Sequence, residues 1–185
     1  MCMKKRKNRA FVSGFALPDL IFLACFLGFF ATVAVPAFKR YFERAKVMEV
    51  LLQLQKISDG AAAYYEESDR MIWAVKDGTK EKRFPDSTMV TPQRRCCTYG
   101  PSGMCESADW DTPVWRALGF AIEEPHHFRF QFVSKGVGAE AAFTVRAHAD
   151  LDCDGVESTF ERVGLATEDF NVTVSTAVRA VRIRE

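Results

Sequence analysis

Three aspartates in the C-terminal part of the chain are spaced as in a calcium-binding loop. The stretch DLDCDGVESTFE, residues 150–161, fits the pattern D-x-[DN]-x-[DN]-G-x₅-E throughout. Carboxylate oxygens crowded into one turn suit Ca²⁺, and they repel one another when no cation is present. The pattern assigns ligands (side chains, one backbone carbonyl and one water-mediated contact) to Asp150, Asp152, Asp154, Val156, Ser158 and Glu161.

The same residues also fit a solvated Asp-Gly hairpin turn that holds no metal. Glu157 takes a place that is apolar in EF-hands, and strands rather than helices are predicted on both sides of the loop. Both interpretations stay open. A calcium ion here would be structural, because it would hold the loop that also carries Cys153.

One carboxylate lies inside an apolar stretch at the other end of the chain. Asp19 is the sole charged residue between Phe15 and Phe38. An ionised side chain in hydrocarbon is costly and normally marks a function with a partner. We therefore expect Asp19 to make a polar contact within apolar packing. The alternative is a position at the lipid headgroups.

The downstream part of the chain carries an even number of cysteines. Four suffice for two disulfides in an oxidising compartment, with three possible connectivities. A bond between the two adjacent cysteines is the least favoured, because neighbours cannot easily reach relaxed disulfide geometry. A zinc site fits less well, since there is no C-x-x-C pair. The disulfide candidates are Cys96, Cys97, Cys105 and Cys153.

These residues must be positioned by a membrane segment and a helix that follows it. Residues 15–38 would form a helix of about 36 Å, enough to cross a hydrocarbon core of roughly 30 Å. The first fourteen residues hold five basic side chains and no acid. This charge predicts a cytoplasmic N-terminus and a chain that continues outward, in agreement with the disulfides. Pro36 is expected to bend the helix.

Residues 39–67 are predicted to form an amphipathic continuation of this helix. Apolar and small residues recur there at steps of three and four, and this stripe is expected to pack on the downstream domain. The opposite side would carry Glu49, Gln53, Lys56 and Gly60. The stripe consists of Val47, Val50, Leu51, Leu54, Ser58, Ala61 and Tyr65.

Residues 68–185 are expected to form an α+β domain in which a helix covers an antiparallel meander. Residues 76–112 contain many Pro and Gly and are predicted to be loop-rich. TPVWRALG should form a short helix, capped by Asp111 or Thr112 and ended by Gly119. Strands are predicted at 128–134, over AAFTVRAHA, at 158–163 and within 170–184, with alternate Phe and Val residues facing inward.

The junction KKRKNRAFVSG-FALPDL resembles the processing site of type IV prepilins and of type II secretion pseudopilins. In those families a short basic leader ends in Gly, and an apolar helix follows that starts with Phe and has a carboxylate five residues after the cut. Gly14, Phe15 and Asp19 occupy these positions, and Pro36 matches a proline of the family. The chain departs from the pattern with Asp19 in place of Glu and with Pro18 in place of an aliphatic residue.

The resemblance implies that residues 1–14 are a leader, that a prepilin peptidase cleaves after Gly14, and that the new amine of Phe15 is methylated. Asp19 would then neutralise that amine on the same or a neighbouring subunit. The implied protein waits in the bacterial inner membrane and joins a periplasmic or extracellular filament, as a minor pilin or pseudopilin. Its partners would be the peptidase, other subunits and the inner-membrane assembly platform. Major pseudopilins of type II secretion systems also bind calcium in the C-terminal domain, and by this resemblance the ion in the Asp150 loop is favoured slightly.

Two other export signals compete with this interpretation. Val35-Pro36-Ala37 fits cleavage by signal peptidase I after Ala37, and Leu23-Ala24-Cys25 is a rough lipobox. Both leave Asp19 inside the hydrophobic region unexplained. A competing function is a membrane-tethered domain that binds DNA, a surface or a secreted substrate and does not polymerise.

No catalytic set is visible, so we expect no enzyme activity. His126 and His127 have no acid or nucleophile in register and are predicted to lie in a surface turn. Without the first fourteen residues the chain holds 20 basic and 24 acidic residues, and Arg94 with Arg95 makes no basic patch. The sequence therefore does not predict a nucleic-acid partner.

Overall fold

The computed structural model describes residues 17–67, 72–73, 80–99, 103–106 and 110–181. The first element is a 50-residue helix, α1 (Leu17–Glu66). The chain divides into two compact units, Met1–Arg44 and Ala45–Glu185. Within the described part, the first unit contains the apolar portion of α1. The second contains the rest of α1, a short helix and all of the strands, as expected for an α+β protein.

The second unit is built on an antiparallel sheet. Its strands are β3 (Arg129–Lys135), β4 (Ala142–Ala149), β5 (Ser158–Ala166), β6 (Val172–Val174) and β7 (Arg179–Val181). The first four pair in the order of the chain, as the predicted meander requires. β7 departs from it, because it returns to pair with the first half of β5 while β6 pairs with the second half.

The loop-rich region also contains pairings that the sequence did not predict. A separate two-stranded sheet joins β1 (Ile72–Trp73) to β2 (Lys80–Glu81). Further on, Thr91 exchanges two backbone hydrogen bonds with Phe130 of β3, of 2.8 and 2.7 Å. This segment therefore covers the free edge of β3, which would otherwise expose unpaired backbone groups.

The core of the second unit lies between one face of the sheet and one face of α1. The predicted inward residues of β3 and β4 are buried, and Phe132 stands opposite Val145 across the two strands. On α1 the predicted stripe is buried at Val50, Leu54, Ser58, Ala61 and Tyr65. Ile57 belongs to the same buried face, although the predicted stripe does not include it. The buried residues of α1 lie on one face of the helix and those of β3 and β4 on one face of the sheet, as the sequence pattern predicts.

The short helix α2 (Pro113–Ala117) forms where it was predicted. The side chain of Thr112 accepts a hydrogen bond from the backbone N–H of Trp115, and Pro113 begins the helix. Gly119, with φ of +61°, ends this turn in the left-handed region that favours glycine. The helix places Trp115 fully inside the core, with its indole N–H donating to Thr91 Oγ1 at 3.1 Å.

The sequence pattern placed Gly60 on the side of α1 opposite the packed stripe, but the structure shows a close contact at this residue. A Cβ built at Gly60 would lie 2.0 Å from the carbonyl oxygen of Leu118. The backbone that follows α2 therefore touches the backbone of α1 at this point. Such an approach requires glycine, and it explains a residue that is otherwise unfavourable inside a helix.

We expect Gly60→Ala to lower the free energy of unfolding by about 1–3 kcal/mol, because the added methyl group overpacks against backbone that cannot move aside cheaply. Helix propensity alone predicts the opposite, a gain of about 1 kcal/mol. Chemical unfolding of the full chain in detergent micelles measures the difference. The control is Ala63→Gly at an exposed helical position, which should cost about 1 kcal/mol. A more stable Gly60→Ala protein would contradict the close approach.

Candidate functional site

The first candidate site is the apolar portion of α1. Residues Leu17–Phe38 have a mean hydropathy of 2.4 and form a segment that is long and apolar enough to cross a membrane. Asp19 lies in the first turn of α1, and Pro36 lies inside the helix. The predicted cleavage residues Gly14 and Phe15 lie outside the described residues.

Among the described residues, none of this segment is buried. Leu17, Phe22 and Phe29 are 75%, 77% and 69% exposed. An uncovered apolar surface of this extent marks a segment that needs lipid or other protein chains around it. Asp19 is the single carboxylate within this surface.

The second candidate site is a loop in the second unit that two disulfides help to hold. Cys96 is bonded to Cys105, and Cys97 is bonded to Cys153. This is one of the connectivities that the sequence left open. The second bond spans 56 residues and the first spans 9. In the chain-entropy model their contributions are about 4 and about 2.6 kcal/mol, so the longer bond restricts the unfolded chain more.

The Asp150–Asp154 loop follows β4 and precedes β5. Cys153, at the centre of the loop, has φ of +63°, and a Cβ on Gly103 would lie 3.2 Å from its sulfur. The two Asp150 carboxylate oxygens accept the backbone N–H groups of Asp154 and Gly155 at 3.1 and 2.9 Å. The loop is therefore closed by its own first residue.

Three carboxylates converge at this loop. One oxygen from each of Asp150, Asp152 and Asp154 lies within 4.8 Å of the others. Asp150 is buried, while the other two are exposed. Carboxylate oxygens at this separation suit a hard cation such as Ca²⁺, which takes oxygen ligands at 2.3–2.6 Å. This part of the predicted ligand set fits the ion.

Ser158 and Glu161, the last two positions of the predicted ligand set, lie on β5 and not in the carboxylate cluster. β5 begins at Ser158, whose side chain is inside the core. Since an extended strand rises roughly 3.3 Å per residue, Glu161 is carried away from the loop. Its Oε1 accepts a hydrogen bond from Arg146 Nε at 2.7 Å. Glu161 therefore has a cationic partner on the sheet instead of the role that the linear pattern assigned to it.

Basic side chains of the chain itself hold the loop from outside. Lys46 of α1 donates to the carbonyl of Leu151 at 3.4 Å, and Arg95 donates to the carbonyl of Gly155 at 3.1 Å. Glu157, just after the loop, pairs with Arg129 and lies 3.9 Å from Arg95. The backbone N–H of Val156 donates to Asp154 Oδ1 at 2.7 Å, so Val156 lies directly beside the carboxylates.

Comparison of the chain with protein-family models, with curated proteins and with solved structures finds no match.

The prediction that His126 lies in a surface turn was wrong. Its side chain is 2% exposed, and its backbone exchanges hydrogen bonds of 2.7 and 3.1 Å with Cys105. The Cys96–Cys105 disulfide anchors that pairing, and a linear sequence does not show such a partner. His127 lies beside it, with Nδ1 3.3 Å from the Glu49 carboxylate of α1.

Proposed function

We propose that this protein is a pilin-like structural subunit, a minor pilin or pseudopilin, that enters a filament through α1. The observation that carries the proposal is the uncovered apolar segment Leu17–Phe38, which has one carboxylate in its first turn. The same helix continues into a disulfide-bonded α+β unit. A simple anchor needs the apolar segment, but it has no need for the carboxylate.

In this account the leader is removed after Gly14 by a prepilin peptidase and the amine of Phe15 is methylated. The carboxylate of Asp19 then pairs with the positive amine of Phe15 on the same or a neighbouring subunit. A buried charge is tolerated when it has an opposite charge beside it. Because this pair forms at one stagger of the helices, it sets the register between subunits.

The account also assigns a location to each stage. The basic leader keeps the N-terminus in the cytoplasm while the apolar segment waits in the inner membrane. The second unit is then on the oxidising side, where its two disulfides persist. Its partners are the peptidase, the assembly platform and other subunits of the filament. No enzyme activity is part of this proposal.

We predict that Asp19→Ala abolishes incorporation into filaments while membrane insertion stays normal, since the substitution removes the charge partner and leaves an apolar helix. Immunoblots of sheared filaments and of washed membranes from the producing cell measure the two steps. Asp19→Glu is the matched control and should retain incorporation. Unchanged incorporation of Asp19→Ala would favour the alternative, a membrane-tethered binding domain that does not polymerise.

We further propose that Asp150, Asp152 and Asp154 hold a structural Ca²⁺ together with the carbonyl of Val156. The convergence of three carboxylates in one short loop supports this, whereas Glu161 pairs with Arg146 and is not part of that cluster. The ion would offset the repulsion between the carboxylates. It would also hold the strand connection that the Cys97–Cys153 disulfide already restrains.

Calcium at 100 times its Kd should stabilise the second unit by about 2.7 kcal/mol relative to EGTA, raising Tm by roughly 5–10 °C. Asp154→Asn keeps an oxygen for the Val156 N–H but removes one charge, so it should lose most of this rise. Asp169→Asn, an exposed residue outside the loop, is the control and should keep it. If the unsubstituted chain has the same Tm in calcium and in EGTA, the proposal that this loop binds a structural Ca²⁺ is contradicted.

A further inference from the structure

The turn Glu123–His127, here named the histidine turn, connects a groove to the buried part of the second unit. The groove has a volume of about 1080 Å³ and lies between α1 and residues 110–124. Glu123 and Glu124 line it on one side and Leu52 of α1 on the other. Every residue of the turn is exposed except its two histidines.

His126 is the inward anchor of this turn. Its ring packs against Trp110, with ring centroids 5.9 Å apart. Its Nδ1 lies 3.0 Å from the carbonyl oxygen of Glu124. Since a carbonyl only accepts, Nδ1 must carry the hydrogen in the neutral ring, which leaves Nε2 with a lone pair.

The other ring nitrogen of His126, Nε2, lacks a hydrogen-bond partner among the described residues. Nε2 of His126 and Nε1 of Trp110 are both buried without a hydrogen-bond partner among the described residues. An acid solution would add a proton to Nε2 and place a full charge there. A buried charge without a hydrogen-bond acceptor is disfavoured. Trp110 offers no acceptor atom, since its indole nitrogen is itself a donor.

The charges around His126 do not offset this cost. From α1, Glu49 attracts a proton to His126, but it already lies 3.3 Å from Nδ1 of His127. On the turn itself, His127 repels a charge on His126. Burial outweighs the attractive contributions and lowers the pKa of His126. The remaining charged residues along the groove are Lys56, Asp111, Arg116, Glu123 and Glu124.

We propose that the histidine turn opens in acid. Protonation of His126 moves its side chain out from beneath Trp110, and this movement widens the groove beside α1. The turn is held closed chiefly by the buried ring, by the two backbone hydrogen bonds to Cys105 and by the contact of His127 with Glu49. Protonation in acid makes burial of the His126 ring unfavourable and so removes the first of these three contributions. It leaves the Cys96–Cys105 disulfide intact, so the opening is local and reversible.

The sign of the pH dependence follows from the lowered pKa. The open turn takes up a proton near the ordinary histidine value of about 6.5, whereas the closed turn does so only at lower pH. Stability of the closed turn is therefore complete above that value and is lost as the pH falls below it. Between pH 7.5 and pH 5.5 the opening equilibrium should therefore rise, with about tenfold as the upper limit for one proton.

Hydrogen exchange of the full chain in detergent micelles tests this, with rates at pH 7.5 and 5.5 corrected for the intrinsic pH dependence. Protection of the amides in residues 119–127 should fall at pH 5.5, by up to about tenfold. His126→Phe, which keeps a buried ring but takes no proton, should remain protected. The control His127→Gln should still lose protection in acid. Unchanged protection of the unsubstituted turn, or an equal loss in His126→Phe, would overturn the proposal.

A second measurement decides the case if His126→Phe does not fold. NMR of the unsubstituted chain with labelled imidazoles follows each histidine separately through the same pH range. The His126 signal should titrate with a midpoint below about 6.5, and the backbone signals of the histidine turn should shift together with it. A midpoint at or above that value would overturn the proposal.

Discussion

Helix α1 must satisfy two different surroundings along one continuous backbone, and the rest of the chain depends on how it does so. From Leu17 to Phe38 the helix is apolar except for a few residues such as Asp19, and each of its residues is exposed in the described part of the chain. From Val50 to Tyr65 a single face is buried against the sheet. The first portion is long and apolar enough to cross a membrane, while the second packs its buried face within the α+β unit.

The second unit in turn depends on close contact with α1. Leu118 approaches Gly60 at the backbone, Lys46 holds the carbonyl of Leu151, and Glu49 contacts His127. These contacts link one helix to two segments: the stretch before β3, which holds Leu118 and His127, and the connection between β4 and β5, which holds Leu151. A shift of α1 would therefore disturb the Asp150–Asp154 loop and the histidine turn together.

Much of this architecture could be predicted from the sequence, because it rests on periodicity. The alternation of Phe128, Phe130 and Phe132 and the cap at Thr112 are local signals, and the structure confirms both. Apolar length likewise identifies the segment that could span a membrane. Such features depend on residues only a few positions apart.

The remaining features depend on partners that are distant in the chain. A linear calcium pattern places Glu161 in the site, but the pairing of β4 with β5 sets it opposite Arg146. His126 is buried because Cys105 pairs with it, and no local pattern reports that pairing. The return of β7 to β5 is equally invisible in a strand pattern. Tertiary contacts overrode the local signals at each of these positions.

The processing of the N-terminus tests the filament account most directly. Mass spectrometry of the mature protein, purified from membranes of the producing cell, reads the first residue and any modification of it. The account predicts a chain that begins at Phe15 with a methylated amine. A chain that begins at Phe38, or at a lipidated Cys25, would contradict it.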